Sequence, residues 1–164
     1  MPGSGKSTIG KEVAARLGAR FEDSDKVIEE RQGRSVAAIF AAEGEQAFRD
    51  LESEVLLGLI DAGACVIATG GGAVLRQTNR DLLRQRTRCV YLRASPRFLW
   101  RRLRRDRRRP LLQVADPEAR LREMSAERDP LYQESATHIV DVENRPFEHI
   151  VQDIVQVLAG HPSR

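Results

Sequence analysis

The chain has 164 residues, 41% apolar and 31% charged, the size of one domain able to bury a core. No apolar run reaches roughly 18 residues and no apolar stretch follows a basic start, so neither a membrane-spanning helix nor a signal peptide is expected. The net charge of +3 hides an asymmetry: residues 76–109 hold 14 Arg against Asp81 and Asp106, while residues 1–60 and 110–164 are both net acidic. Such a block suggests an anionic ligand, either a polyphosphate or a nucleic acid.

Residues 5–17 place Ile9, Val13 and Leu17 on one helical face, and Gly18 ends that helix. An extended piece, 19–22, leads to Asp23-Ser24-Asp25, which caps a helix to about Gln32 with Gly33 as its stop. Ser35 caps a helical turn over 36–42, and 45–61 form a long helix with Phe48, Leu51, Val55, Leu56 and Leu59 on one side. Residues 65–68 read as a strand buried on both faces, the pattern of a parallel sheet, and the strand breaks into Thr69-Gly70-Gly71-Gly72. A helix over 79–85, a second buried strand over 89–92, and a helix from Ser95-Pro96 into the arginine block follow. The remainder reads as a helix over 117–127 broken by Pro130, a strand over 138–142 and a helix over 147–158. The alternation predicts one α/β domain with a parallel sheet. Cys65 and Cys89 lie in apolar runs and read as reduced core thiols of a cytoplasmic protein.

The strongest motif is Gly3-Ser4-Gly5-Lys6-Ser7-Thr8 at the head of a helix. In a P-loop, glycines turn backbone N–H groups toward phosphate oxygens, Lys reaches the β/γ-phosphates and the next hydroxyl binds Mg²⁺. The pattern's first glycine would precede Met1, as would the strand that feeds the loop. A central strand contributes roughly 10 kcal/mol of burial, so the expectation is a natural start farther upstream and a chain poorly stable without it.

Asp23 and Asp25 follow a strand, where ligand groups collect in open α/β sheets. They fit proton acceptance or a metal's water shell, and equally a helix N-cap. Arg49, one turn from Glu52, fits a bidentate carboxylate grip or a solvated pair. Three glycines at a strand end let a substrate approach bare backbone. The block 101–112 reads as a flap carrying Arg to transferring phosphates, a nucleic-acid patch or a solvated face.

Six motifs in register, Gly-Ser-Gly-Lys-Ser-Thr at 3–8, Asp-Ser-Asp at 23–25, Phe-Arg-Asp-Leu-Glu at 48–52, Gly-Gly-Gly at 70–72, Arg-Arg-Pro-Leu-Leu at 108–112 and Glu-Arg-Asp-Pro-Leu-Tyr at 127–132, resemble shikimate kinase. The resemblance implies a P-loop, nucleoside-monophosphate-kinase-like three-layer α/β sandwich. Its parallel sheet has five strands in the family, with the first absent here. It implies a lid over about 106–117 and substrate-binding helices over about 24–52. It implies transfer of the ATP γ-phosphate to the 3-hydroxyl of shikimate, on the route to chorismate and aromatic amino acids. Lys6, Asp25 and Arg109 would be catalytic. Gly3, Ser4, Gly5, Lys6, Ser7, Thr8, Arg102, Arg109 and Arg145 would hold ATP. Asp25, Arg49, Gly70, Gly71, Gly72 and Arg128 would hold shikimate, and Ser7, with Asp23 through water, would hold Mg²⁺. A cytoplasmic monomer without nucleic-acid or membrane partners is expected. The alternatives are a gluconate-kinase-like enzyme and a non-catalytic ATP- or nucleic-acid-binding regulator.

Overall fold

The computed structural model describes residues 1–104 and 114–160. Helix α1 (Lys6–Leu17) buries Ile9, Val13 and Ala14, and Gly18, at φ 62°, closes it by turning its N–H back to the Ala14 and Ala15 carbonyls. Strand β1 (Arg20–Asp23) runs into α2 (Ser24–Gln32), whose N-cap is Asp23. Helix α3 (Val36–Asp61) is capped by Ser35 and breaks at Gly44, which has φ 82° and ψ 176°. The two helical stretches expected on either side of residue 44 are therefore both present, joined by a glycine kink.

Strand β2 (Cys65–Ala68) leads through the glycine run into a 3-10 turn, Ala73–Leu75. The rest comprises α4 (Gln77–Arg86), β3 (Val90–Arg93), α5 (Pro96–Leu103), α6 (Pro117–Ser135), β4 (His138–Asp141) and α7 (Phe147–Ala159). All pairing is parallel: β1 lies on β2, with Asp23 opposite Ala68, and β3 lies on β4, with Val90 opposite His138. Among the described residues no ladder joins β2 to β3, so the strands form two separate pairs.

Three sequence expectations need correction. Strand β2 is not buried on both faces: only Ala68 is, while Cys65, Val66 and Ile67 are half-buried, because β2 has a ladder partner on one edge only. Cys65 and Cys89 are free thiols, but half-buried ones. Pro130 does not end a helix. Helix α6 runs through it to Ser135, with Leu121 and Met124 buried before it and Tyr132 and Ser135 after it. Packing on both sides outweighs the lost backbone bond, which costs about 3 kcal/mol in an isolated helix.

Two apolar clusters result. The larger includes Ile9, Val13, Tyr91, Leu92, Leu99, Leu121 and Val151, from α1, β3, α5, α6 and α7. The smaller, Ile28, Ile39, Phe48, Val55 and Leu59, locks α2 onto α3, with Ile67 of β2 against it. The glycine run lies between them, since Ile67 touches the smaller cluster and Val74 belongs to the larger.

Candidate active site

Helix α1 opens at Gly5 (φ 92°), and no side chain caps it. A Cβ on Gly3 would stand 2.8 Å from Leu103 Cγ, so a bulkier residue there would push α5 away. The Ser4 hydroxyl and the Lys6 ammonium both donate to the Met1 carbonyl, at 3.0 and 2.9 Å. Thr8, Gly5, Phe98, Arg102, Asn144 and Arg145 line a cleft of about 480 Å³ on one side of this turn. Arg145 is tied to Asp153 at 2.6 Å, and Asn144 sits at φ 55°.

The Ser7 hydroxyl donates to Asp23 Oδ2 at 2.8 Å, while Asp23 Oδ1 accepts from the Asp25 N–H at 3.2 Å. Asp23 thus caps α2 with one oxygen and meets the Ser7 hydroxyl with the other, so capping does not take up both of its oxygens. In the first turn of α2, burial and then the neighbouring Asp23 charge hold the Asp25 carboxyl above the ordinary carboxylate range. Lys6 and Arg49 pull the other way.

Arg49 and Glu52 form a buried pair rather than a solvated one. Arg49 Nη1 donates to Glu52 Oε2 at 2.7 Å, and the side chains are 12% and 1% exposed. The guanidinium lies 5.3 Å from the Phe48 ring centroid and 5.8 Å from that of Phe40. Burial also lifts the Glu52 carboxyl above its usual range, against the pull of Arg49.

The glycine run is shaped by these side chains. A Cβ on Gly70 would lie 2.7 Å from both Asp25 Oδ1 and Glu52 Oε1, and one on Gly72 would collide with the Arg49 guanidinium. The Gly70 N–H is taken by the buried Ser24 hydroxyl at 3.0 Å. The Gly71 carbonyl accepts from the Tyr132 hydroxyl at 2.6 Å and from Arg128 Nη1 at 3.4 Å. Tyr132 stacks on Tyr91, whose hydroxyl donates to Asp129 at 2.6 Å. Burial pushes the Tyr132 hydroxyl up to about 12, so it remains a donor. Among the described residues, three buried side-chain atoms lack a partner: Arg49 Nε, Arg128 Nε and Glu52 Oε1. Two guanidinium N–H donors without acceptors suit an incoming carboxylate.

Lys6, Asp25, Arg49, Gly70, Gly71, Gly72 and Arg128 therefore converge. Gly5, Thr8, Arg102 and Arg145 border the adjoining cleft, and Ser7 and Asp23 stand at the junction. Arg109 and most of the expected lid lie outside the described residues. Ser24 and Tyr132 stand in motifs read from the sequence, but their bonds to Gly70 and Gly71 had no sequence signal. Glu52 was legible only as the helical neighbour of Arg49, and its burial had no sequence signal.

Comparison with known proteins places these residues in context. A family model described as shikimate kinase matches residues 2–159. The chain is 54% identical over 161 residues to a shikimate kinase of Paracidovorax citrulli, covering 96% of this chain and 88% of that protein. It is 48% identical to a shikimate kinase of Pseudomonas aeruginosa, covering 99% and 94%. Among solved structures, the shikimate kinase of Acinetobacter baumannii in complex with shikimate superposes with a TM-score of 0.92 at 40% identity, covering 99% of this chain and 92% of that one.

Proposed function

The chain belongs to the shikimate kinase family, and we propose from that premise how its residues divide the work of phosphorylating shikimate. It is an α/β phosphotransferase of the P-loop, nucleoside-monophosphate-kinase type. It moves the ATP γ-phosphoryl group to the 3-hydroxyl of shikimate, giving shikimate 3-phosphate and ADP, a step of aromatic amino acid biosynthesis.

In our assignment, the Gly3–Thr8 turn and the uncapped start of α1 hold the nucleotide's phosphates, with Lys6 on the β/γ oxygens. Arg102 and Arg145 flank the adenosine side of the cleft, and Arg109 contacts the transferring group. Arg49 and Arg128 hold the shikimate carboxylate in two forks, helped by the bare backbone of Gly70, Gly71 and Gly72. That anchoring leaves the ring hydroxyls beside Asp25, which accepts the proton of the attacking oxygen. Charge developing on the phosphoryl oxygens is offset by Lys6 and Arg109.

Magnesium fits the donor set as well. The Ser7 hydroxyl and Asp23 carboxylate are adjacent oxygens, hard ligands of the kind Mg²⁺ takes. Ser7 would hold it directly and Asp23 through water, and the ion would neutralise phosphate charge. The described residues contain no cluster of three or more His, Cys, Asp or Glu that would make a separate protein cage.

We further assign the chain to the cytoplasm as a single-domain monomer acting without nucleic acid. For the last of these, support comes from the arginine block, where Arg76, Arg80, Arg86 and Arg93 are ion-paired to Asp50, Glu134, Asp61 and Asp141 at 2.6–3.0 Å. The observation that carries the functional assignment is the buried Arg49–Glu52 pair meeting Asp25 at the glycine run. An ADP-release assay tests it: release should depend on shikimate and not on gluconate. Equal turnover with either acceptor, or with neither, would reject the assignment.

A further inference from the structure

Gly70, Gly71 and Gly72 have no side chains with which to fix their own backbone, so whatever holds them comes from elsewhere in the fold. The chain before them is set by the β1–β2 ladder, which ends with Asp23 opposite Ala68, and by the Ser24 hydroxyl on the Gly70 N–H. The chain after them is only the 3-10 turn Ala73–Leu75. It is closed by bonds from the Ala73 N–H to the Gly70 carbonyl and from the Leu75 N–H to the Gly72 carbonyl. Every carbonyl of that turn accepts from a side chain of α4. Asn79 Nδ2 donates to the Ala73 carbonyl at 3.0 Å, and Arg80 Nη1 donates to those of Val74 at 2.8 Å and Leu75 at 3.3 Å.

Both donors are built into the fold. Asn79 is 2% exposed and the Arg80 side chain 11%, and the turn residues Ala73 and Val74 are buried. Arg80 also reaches beyond the turn. Its Nε donates to Glu134 Oε2 at 3.0 Å and its Nη2 to the Gln77 side chain, while Gln77 Nε2 donates to Glu134 Oε1 at 3.0 Å. Glu134 lies past Arg128 on the same helix, α6. One guanidinium therefore joins the turn behind the glycines to the helix that carries Arg128. At the other end of the turn, the Arg49 guanidinium fills the space where a Cβ of Gly72 would stand. A turn free to slide would move Gly72 against Arg49 and change the spacing of both to Arg128.

We propose that Asn79 and Arg80 of α4 are positioning residues for the acid substrate: they pin the turn behind the glycine run and tie it to α6, which presets the spacing of Arg49, the Gly71–Gly72 backbone and Arg128. This rests on the shikimate assignment above. Neither side chain touches the substrate in that assignment, and both act through backbone carbonyls. Donors already held at the spacing a carboxylate needs bind it without first being ordered, so loosening them costs affinity. The nucleotide cleft is lined from α1, α5 and the segment Val142–Ile150, none of which bears the Asn79 or Arg80 bonds. The loss should therefore fall on one substrate only.

Steady-state kinetics of the full chain, with shikimate and ATP varied in turn and a melting scan beside them, test this. Asn79→Ser and Arg80→Met should each raise the KM for shikimate by about 5–30-fold, with the KM for ATP within about twofold and kcat within about threefold. Arg80→Lys keeps the charge facing Glu134 but loses the fork, so its shikimate KM should lie between those of the unmodified chain and Arg80→Met. Leu83→Ala is the comparison: it empties a buried apolar site on the same helix and makes no hydrogen bond to the turn. It should lower Tm at least as far while leaving the shikimate KM normal. If Arg80→Met does not fold, Arg80→Lys and Asn79→Ser decide, and normal shikimate KM values in both would overturn the proposal. So would a rise in both KM values together, or a Leu83→Ala variant with the same shikimate defect, since either would make α4 a matter of stability alone. Absence of shikimate-dependent turnover in the unmodified chain would instead sink the functional assignment, and this proposal with it.

Discussion

Asp25 occupies a place that favours chemistry over stability. Burial raises its carboxyl pKa in the fold, so between the ordinary carboxylate value and the raised one the native state binds more protons than the unfolded chain. Stability contributed by this group therefore falls as pH rises through that window, and the penalty is fully present above it. Asp25→Asn removes the penalty, so its Tm at neutral pH should exceed that of the unmodified chain while kcat drops by about 10²–10⁴-fold. A melting scan and a turnover assay check both halves, and unchanged kcat would remove Asp25 from the mechanism. Arg49→Lys preserves charge but loses the fork and its seat over Phe40 and Phe48. The KM for shikimate should rise by roughly tenfold or more with the KM for ATP little changed, and an unaltered shikimate KM would contradict the clamp. Lys6→Met should abolish phosphoryl transfer, which a coupled ADP assay reads directly.

At the level of elements, the glycine run and helix α6 act as one device. The Tyr132 hydroxyl and Arg128 both reach the Gly71 carbonyl, which holds the run in place over α6. Their spacing on α6 requires that the helix continue past Pro130. Gly70 and Gly72 are needed because Asp25, Glu52 and Arg49 occupy the space a Cβ would fill. Gly72→Ala should displace the Arg49 guanidinium and raise the shikimate KM by about tenfold, with nucleotide affinity measured by titration staying close to normal. An alanine variant with normal shikimate kinetics would show that the run tolerates side chains. The helix starts and stops at Asp23, Gly33, Ser35 and Gly18 were readable from local chemistry, because capping acts between residues adjacent in the chain. The continuation through Pro130 was not readable, because the packing that overrides proline comes from other elements.

For the molecule as a whole, the concentrated basic block invited a nucleic-acid interpretation, and four of its arginines are ion-paired in the fold. Arg76, Arg80, Arg86 and Arg93 find acidic partners on α3, α6 and β4, two that precede the block in sequence and two that follow it. Each surface pair is worth only about 0–1 kcal/mol, yet together they leave less free positive field. Duplex DNA should accordingly fail to produce a salt-dependent mobility shift, whereas a steep salt slope would restore the binding-protein alternative. Shikimate at about 100 times its Kd should add about 2.7 kcal/mol, a Tm rise of roughly 5–10 °C for a chain this size.

The linear order of residues was enough to read the P-loop motif, the α/β alternation and the charged side chains proposed for the substrate clamp, because those signals depend on neighbours in the chain. It also placed Glu52 one helical turn from Arg49. Nothing local could reveal that this carboxylate would be buried, that it would meet Asp25 across Gly70, or that four arginines of the block would pair with acids more than twenty residues away. Burial and charge compensation are set by which distant segments pack together, and those contacts exist only once the chain has folded.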